Sequence, residues 1–199
     1  DYYTIDCSKI EKKITSNTKA IIPVHLYGHP ANMDKIIKIC KKYNLFLIED
    51  CAQAHFSSWN NNYVGKMGIA GTFSFFPGKN LGAYGDAGAI ITDNDKFAQI
   101  ARMYCNHGSL IKHKHEIEGI NSRLDGMQAS ILSVKLKYID KWNKNRVENA
   151  SLYNNLLSNI VELELPKTHP KANHVFHLYV IRLKERDKLQ SFLNEYNIS

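Results

Sequence analysis

The chain has 199 residues, of which 44% are hydrophobic and 23% charged, and this composition is typical of a globular protein with a substantial core. No apolar run approaches membrane-spanning length and no stretch has a signal-peptide layout, so we expect no membrane partner. The formal charge of +7 suggests nucleic-acid binding, but the lysines are dispersed among apolar positions on predicted helices. We therefore expect no nucleic-acid partner, although a positive surface could equally attract a small phosphorylated substrate.

Both ends of the sequence predict a fragment of a longer protein. It opens at Asp1 without an initiator methionine and stops at Ser199 directly after a helical pattern. The cysteines form no C-x-x-C pair and lie beside no histidine cluster with the spacing of metal ligands. We therefore expect reduced thiols, a cytoplasmic location and no metal site. The four cysteines are Cys7, Cys40, Cys51 and Cys105.

The first part of the chain alternates between helical and strand patterns. A short helix over residues 8–15, capped by Ser8, precedes an apolar run over 19–26 that predicts a buried strand. Asn32 is the predicted cap of a helix that ends at Asn44, and a second apolar strand follows over 45–48. Strand, helix and strand in this order form the unit of a parallel sheet.

The later elements predict the rest of an α/β domain and then a smaller lobe. A helical pattern over 125–157 has Gln128 at the capping-box position and is expected to break near Asn143. We place the domain boundary between a large domain over 1–145 and the start of a small α+β domain over 146–199. The remaining predictions are strands over 70–76, 87–92 and 175–183, a helix over 94–105, loops over 106–121 and 166–173, and a helix from 185 onward.

A lysine stands in an unusual place in the stretch TFSFFPGKN, residues 72–80. Lys79 follows an apolar aromatic strand and the turn made by Pro77 and Gly78, so the backbone directs its side chain. A serine, Ser74, lies five residues before it. The alternative is an ordinary surface lysine in a loop beside a buried strand.

Polar side chains also follow the predicted strand over 45–48, where Asp50 and Gln53 stand. Open parallel sheets bind ligands at the carboxyl ends of their strands, so these two residues can meet Ser74 and Lys79 at one edge. An amine, a carboxylate, an amide and a hydroxyl suit pyridoxal phosphate: the amine forms a Schiff base and the carboxylate pairs with the ring nitrogen. The alternative is that Asp50 and Ser74 only cap turns.

Several motifs occur in a fixed order: FLIEDCAQAH, GTFSFFPGKNLGAYGDAGAIIT, NHG and GINSRLDGMQASIL. Together they resemble the DegT/DnrJ/EryC1/StrS family of nucleotide-sugar aminotransferases, which use pyridoxal phosphate. The resemblance runs over nearly the whole chain. It implies the aspartate-aminotransferase fold: an α/β three-layer sandwich with a mainly parallel sheet, followed by a small α+β domain. It also implies that an N-terminal part with a phosphate loop, and the C-terminal end, are absent from this sequence.

The resemblance assigns a role to each motif residue. Lys79 would hold the cofactor and move the proton, Asp50 would pair with the ring nitrogen, and Gln53 would contact the ring hydroxyl. Ser74 would bind the phosphate. Asn121 of GINSR would reach across a homodimer interface to the neighbouring subunit's cofactor, while Arg123 would secure the loop.

The implied reaction moves an amino group from glutamate to the keto group of a nucleotide-linked deoxysugar, and the run after GINSR resembles members that act at carbon 3 of a dTDP-sugar. The alternatives are a sugar dehydratase of the same fold, which carries histidine in place of Lys79, and a non-catalytic regulator.

Four further residues are weaker candidates for substrate contacts, and each has a structural role as its alternative. They are Tyr27, His55, His107 and His177. The sequence departs from the family pattern at Phe56, where a glycine is usual, and at His113 and Lys114, where the family loop is rich in tyrosine.

Overall fold

A computed structural model describes residues 2–198. Within them the strands are β1 (Ala20–Ile21), β2 (Phe46–Asp50), β3 (Ser58–Trp59), β4 (Asn62–Tyr63), β5 (Ala70–Ser74), β6 (Gly88–Ile91) and β7 (Ala172–Asn173). The helices are α1 (Cys7–Ile10), α2 (Met33–Tyr43), α3 (Asp95–Cys105), α4 (Gly126–Leu136), α5 (Ile139–Leu157) and α6 (Arg186–Glu195).

The main sheet has the strand order β1-β2-β5-β6, and its first two pairings are parallel while β6 runs antiparallel to β5. The predicted α/β class with a mainly parallel sheet is therefore confirmed. Asp50 pairs with Thr72 in the register of β2 and β5. Residues in register share a face of a parallel sheet and alternate residues return to it, so Asp50, Thr72 and Ser74 lie on one face at the carboxyl ends.

A second, smaller sheet has the order β4-β3-β7 and was not predicted. Its strands contain only two residues each, which is too short for a periodic pattern in the sequence. Trp59 of β3 pairs with Ala172 of β7, so this sheet joins the last part of the chain to the first. The predicted loop over 166–173 therefore contributes a strand.

The buried carboxylate of Glu49 fixes the end of β2. Glu49 is fully buried and accepts hydrogen bonds from His25 Nε2 (3.1 Å) and from the backbone N–H groups of Gly65 (2.9 Å), Met67 (2.7 Å) and Gly68 (2.8 Å). Burial alone raises the pKa of the Glu49 carboxyl, but these hydrogen bonds outweigh it and hold the pKa below its ordinary value. The charged form is therefore the one built into the fold.

The other side of His25 is also occupied, because its Nδ1 accepts a hydrogen bond from Ala31 N at 3.0 Å. The imidazole therefore presents its N–H at Nε2 to Glu49. Ligand atoms of His25, Glu49 and Cys51 lie within 4.8 Å of one another, which is compact enough for a metal site. Since the carboxylate and both ring nitrogens are already engaged, this cluster is a hydrogen-bond network that positions Asp50, the next residue.

The start of the chain departs from the prediction in two ways. Asp6, not Ser8, caps the first helix, because the Asp6 carboxylate accepts the Ser8 N–H at 3.0 Å. The predicted strand over 19–26 shortens to β1, since Pro23 has no N–H to donate. The chain continues beside β2 through a single parallel bridge from Val24 to Asp50. This run is also not fully buried, as Ile22 is 58% exposed.

The middle helices confirm the predicted caps but not the predicted break. Asn32 caps α2 and Asn94 caps α3, and Asn44 ends α2 in a left-handed conformation. The long helix breaks between α4 and α5 rather than near Asn143, which lies buried inside α5. Gln128 does not form a capping box, because its Oε1 accepts the Tyr84 N–H at 2.8 Å. The proposed boundary after residue 145 falls within α5 and stays a prediction.

The predicted strand over 175–183 is wrong. Its backbone N–H groups bond elsewhere: Val175 N to the Gly28 carbonyl (3.2 Å), and Phe176 N to His174 Nδ1 (3.2 Å). Phe176 also has φ 44°, outside the strand region. Only Arg182 pairs, in an isolated bridge to Glu164. The alternating pattern reflects packing of this segment on the loop around Gly28, and the helix predicted from 185 is found as α6.

Between residues 2 and 198, the helices lack the combination of length and apolar character needed to cross a membrane.

We expect Glu49→Gln to lower the free energy of unfolding of the whole protein by about 3 kcal/mol at pH 7. The amide NH2 group of glutamine would face N–H groups that now donate to the carboxylate, and two donors cannot bond to each other. In the wild type, folding lowers the pKa of the Glu49 carboxyl. The stability contributed by its charged form is therefore present above the unfolded pKa and is lost as the pH falls through the folded pKa. The difference in the free energy of unfolding between wild type and Glu49→Gln should therefore be smaller at pH 4 than at pH 7, and urea denaturation at both pH values measures it. Glu11→Gln, at an exposed pair with Lys42, is the control. An equal loss in both variants would contradict the role of Glu49.

Candidate active site

Lys79 is held on a tight turn directly after β5. Its backbone N–H donates to the Phe76 carbonyl at 2.9 Å, and the Ser74 hydroxyl accepts the Phe76 N–H at 3.3 Å. The loop then folds back, because a Cβ on Gly82 would lie 2.2 Å from the Pro77 carbonyl oxygen. The backbone therefore fixes the position from which the Lys79 amine extends.

The Asp50 carboxylate is oriented by the turn that follows β2, since its Oδ1 accepts the Ala52 N–H at 3.0 Å. Its Oδ2 has no hydrogen-bond partner in the part of the chain that the structure describes. Gln53 Oε1 accepts the Tyr27 N–H at 2.7 Å, which turns the Gln53 Nε2 donors away from the backbone. One carboxylate oxygen and one amide donor are thus available to a ligand.

A cavity of about 1310 Å³ opens beside β5, and its wall includes Ser74, Lys79 and Asn121. The structure therefore brings Ser74 and Lys79, predicted for the cofactor of this chain, and Asn121, predicted for the cofactor of the neighbouring subunit, to one cavity. Asp50 is not on that wall but pairs in register with Thr72, which is. Gln53 is not on that wall either, and its side chain is bonded to the Tyr27 backbone. The role of each of these residues stays a prediction.

Arg123 orients Asn121. Its Nε donates to Asn121 Oδ1 at 3.1 Å, and its Nη1 donates to Asn106 Oδ1 at 3.3 Å. Because the Asn121 oxygen is engaged by a cation, its Nδ2 is left as a donor. Arg123 lies on the cavity wall as well, so it adds positive charge at the same place.

His55 is buried, with 2% of its surface exposed, and neither ring nitrogen has a hydrogen-bond partner among residues 2–198. The Phe73 and Phe75 rings lie 5.5 and 5.8 Å from it, centroid to centroid. Burial lowers the pKa of His55 to about 4; the nearby Ser74 carbonyl opposes this shift, although no hydrogen bond of normal geometry forms. His55 is therefore a neutral, buried imidazole close to the lysine.

His177 lies near Lys79 and is half-buried. Its Nδ1 is 2.8 Å from the side-chain oxygen of Asn80, the residue after the lysine. Burial, followed by the positive charges of Lys79 and Arg146, lowers the pKa of His177 to about 4. Asn80 was not predicted from the sequence as a site residue, and the signal that could have identified it is its place directly after Lys79 in the motif GTFSFFPGKN.

Two candidates have mainly structural surroundings. His107 is exposed, has φ 57° and accepts a hydrogen bond at its carbonyl from His115 Nδ1 at 2.7 Å, and it is not on the cavity wall. Tyr27 has φ 59°, and its ring packs edge-on against Tyr3 at 5.5 Å. Its backbone, through the bond to Gln53, is the part of Tyr27 that reaches the site.

Phe56 has φ 63°, in the left-handed region that glycine adopts without strain. This conformation accounts for the glycine expected at that position. Phe56 is partly held by an edge-on contact with Tyr63 at 6.0 Å.

Comparison with known proteins identifies the family. The DegT/DnrJ/EryC1/StrS aminotransferase family matches residues 1–199, the whole chain. The chain belongs to this family. The recognition made from its motifs is thereby confirmed.

Curated members of the family extend well beyond this chain. It is 50% identical over 196 residues to the dTDP-3-amino-3,6-dideoxy-alpha-D-galactopyranose transaminase of Aneurinibacillus thermoaerophilus, covering 98% of this chain and 54% of that protein. It is 48% identical over 199 residues to the "Pleiotropic regulatory protein" of Geobacillus stearothermophilus, covering 99% of this chain and 54% of that protein. The chain thus spans about half the length of these relatives.

A solved structure shows the same fold. The crystal structure of DesV from Streptomyces venezuelae, in complex with a ketimine intermediate, is 42% identical and superposes with a TM-score of 0.97. The match covers 100% of this chain and 54% of that chain. The predicted aminotransferase fold is therefore confirmed for the family member described here.

Gly28 lies where Tyr27, Gln53 and His177 come together, and it has φ 94°. A Cβ there would lie 2.9 Å from Val175 Cγ2, 3.0 Å from His177 N and 3.2 Å from the Gln53 carbonyl oxygen. We expect Gly28→Ala to destabilise the whole protein by about 2 kcal/mol, through backbone strain and these contacts.

Urea denaturation measures that loss. Gly126→Ala is the matched control, because nothing lies within 4 Å of a Cβ at Gly126 and the residue begins α4. Equal stability of the two variants would show that the close approach at Gly28 is not required.

Proposed function

We propose that the protein containing this chain is an aminotransferase that uses pyridoxal phosphate and acts on a nucleotide-linked keto deoxysugar. The observation that carries the proposal is Lys79, held on its turn beside Ser74 at the end of β5, in a chain of the aminotransferase family. The strand end of β2 lies next to it and carries Asp50.

The donor set fits the cofactor. Asp50 offers a carboxylate oxygen to a ring nitrogen, and Gln53 offers an amide donor to a ring hydroxyl. Ser74 offers a hydroxyl to a phosphate at the end of β5. When bound, pyridoxal phosphate supplies an aldehyde that takes up an amino group and a ring that accepts electrons.

The residues of the chain supply the proton chemistry. The Lys79 amine would accept the proton that leaves the substrate carbon, hold it and give it back, and it would do the same in the second half of the reaction. The Asp50 carboxylate would pair with the ring nitrogen of the bound cofactor and favour its protonated, electron-withdrawing form. Since the amine must move while it holds the proton, a fixed turn beneath a free side chain suits this role.

The substrates are proposed from the relatives. The acceptor is a keto group at carbon 3 of a dTDP-sugar, because a relative 50% identical to this chain carries the name of a dTDP-3-amino sugar transaminase. Glutamate is the amino donor implied by the family resemblance, and no relative's name bears on it. Three cations, Lys79, Arg102 and Arg123, and two carboxylates, Asp86 and Asp125, lie on the cavity wall, and the excess of positive charge suits phosphate groups.

We also propose a homodimer in which Asn121 of one subunit donates to the phosphate of the cofactor in the other. The support is the Asn121 amide, which Arg123 turns so that its Nδ2 is free. A cytoplasmic location is part of the proposal and rests on the four free thiols.

A regulatory function is the second candidate, because a relative 48% identical to this chain is named a pleiotropic regulatory protein. A lysine at position 79, rather than the histidine expected of the dehydratases, favours amino transfer over dehydration.

The first test is spectroscopic and uses the whole protein purified with pyridoxal phosphate. We expect a visible absorption band, loss of the band on adding glutamate, and attachment of the cofactor to the Lys79 peptide after borohydride reduction, read by mass spectrometry. Lys79→Ala should lose the attachment, and turnover should fall by roughly 100-fold to 10,000-fold or more. Lys96→Ala, an exposed lysine on α3, should behave as wild type. Undiminished turnover by Lys79→Ala would overturn the role of the lysine, and attachment without turnover on any sugar would favour the regulator.

The second test identifies the carbon. With glutamate as donor, we expect 2-oxoglutarate to form faster with a 3-keto than with a 4-keto dTDP-sugar, with Lys79→Ala as the blank for each. Faster formation with the 4-keto sugar would move the reaction to carbon 4 without affecting the assignment of Lys79.

A further inference from the structure

A buried chain of hydrogen bonds runs from the loop after β2 to the C-terminal part of the chain. Asn143 Nδ2 donates to the His55 carbonyl at 3.0 Å. Asn80 Nδ2 donates to Asn143 Oδ1 at 2.9 Å, and Asn80 Oδ1 lies 2.8 Å from His177 Nδ1. Both asparagines are buried, since Asn80 is 5% exposed and Asn143 is 7% exposed. Asn80 follows Lys79 directly.

The direction of this chain is determined at its starting point. The His55 carbonyl can only accept, so Asn143 must turn its Nδ2 toward it and its Oδ1 away. Asn80 must then donate with Nδ2 to that oxygen, which leaves Asn80 Oδ1 as the acceptor. The remaining partner, His177 Nδ1, must therefore carry a proton. Reversing either amide would bring two donors or two acceptors together in a buried place.

We infer that Asn143 and Asn80 are positioning residues that hold His177 as the Nδ1–H tautomer and keep its Nε2 as a hydrogen-bond acceptor beside Lys79. A free imidazole exchanges between its tautomers, so the protein has selected one. Nε2 has no hydrogen-bond partner within residues 2–198, and it is not enclosed, because His177 is only half-buried.

A further contact fixes the backbone of His177. Arg146 Nη1 donates to the His177 carbonyl at 3.3 Å, which ties the backbone to α5. The charges of Lys79 and Arg146 both act on the His177 ring, and they oppose its protonation. His177 therefore meets a ligand as a neutral acceptor rather than as a cation.

A neutral acceptor selects the chemistry of its partner. Nε2 can receive a proton-bearing group such as a sugar hydroxyl or an ammonium, and it offers nothing to a carboxylate or a phosphate. The contribution of this acceptor to amino transfer rests on the function proposed above. The tautomer of His177 does not rest on the proposed function, because it follows from the hydrogen bonds that join His55, Asn143, Asn80 and His177.

The tautomer can be measured directly in the whole protein by ¹⁵N NMR of the histidine side chains, with His177→Gln to assign the signals. We expect Nδ1 of His177 to show the shift of a protonated nitrogen and Nε2 that of an unprotonated one at pH 7. The opposite pattern, or averaged shifts, in the wild-type protein would overturn the inference without bearing on transaminase activity.

Asn80→Asp tests whether this row of hydrogen bonds sets the protonation of His177. The carboxylate would accept from His177 and stabilise its imidazolium, so the pKa of His177 should rise from about 4 by two units or more in an NMR titration. Asn154→Asp is the charge-matched control. Asn154 lies on α5, as Asn143 does, and its side-chain oxygen accepts a hydrogen bond from the Tyr179 hydroxyl at 2.8 Å. It has no hydrogen bond to the turn that carries Lys79.

Asn143→Ala covers the case in which Asn80→Asp does not fold. It removes the anchor at the His55 carbonyl, so Asn80 can reverse and the His177 shifts should become averaged. An unchanged single tautomer in Asn143→Ala, or the same pKa rise in Asn154→Asp as in Asn80→Asp, would show that the chain does not set the state of His177. If the tautomer is as expected but glutamate leaves the visible band unchanged, the proposed function fails and this inference stands.

Discussion

The Glu49 carboxylate, fully buried, accepts four hydrogen bonds, and the rest of the site depends on the position that they fix. The donors come from His25, before the second strand of the sheet, and from the loop of residues 65–68 after it. A charge in such a place is costly unless its hydrogen-bonding capacity is filled, so both donor segments must close around it. The next residue, Asp50, is thereby held at the strand end, where Thr72 of the neighbouring strand lies beside it in register.

Three amide side chains of the candidate site, those of Gln53, Asn121 and Asn80, are oriented by other groups of the protein and not by a ligand. The Tyr27 N–H occupies the Gln53 oxygen, and Arg123 occupies the Asn121 oxygen, so both amides present donors. Asn80 is oriented in the opposite sense, with its oxygen toward His177. Since amide orientation costs free energy when a ligand must impose it, amides already turned by backbone and cation contacts make a preorganised set.

The sequence was sufficient to predict the sheet, the helix cap at Asn32, the start of a helix at Asn94, and the grouping of Ser74 and Lys79, because these depend on local pattern and on motif order. It was insufficient where a partner lies far away in the chain. Asn143 marks no helix break because its amide bonds to Asn80, 63 residues earlier. The alternating segment after residue 175 forms no strand because its N–H groups bond to the loop at Gly28. Neither distant partner leaves a periodic signal, so pattern alone assigned both segments incorrectly.

Two histidines near Lys79, His55 and His177, are kept neutral. Burial is the main cause of the lowered pKa of both His55 and His177, and the lysine charge acts in the same direction. An imidazolium in either position would repel the Lys79 ammonium in a partly buried place, where charges are poorly screened. Keeping both rings neutral leaves the positive charge at the site on Lys79 and on the arginines of the cavity wall. The site therefore separates its tasks in space: the cations and the Asn121 donor face the cavity, together with the Asp86 and Asp125 carboxylates, while the neutral acceptor of His177 lies beside the lysine on the side of the C-terminal segment.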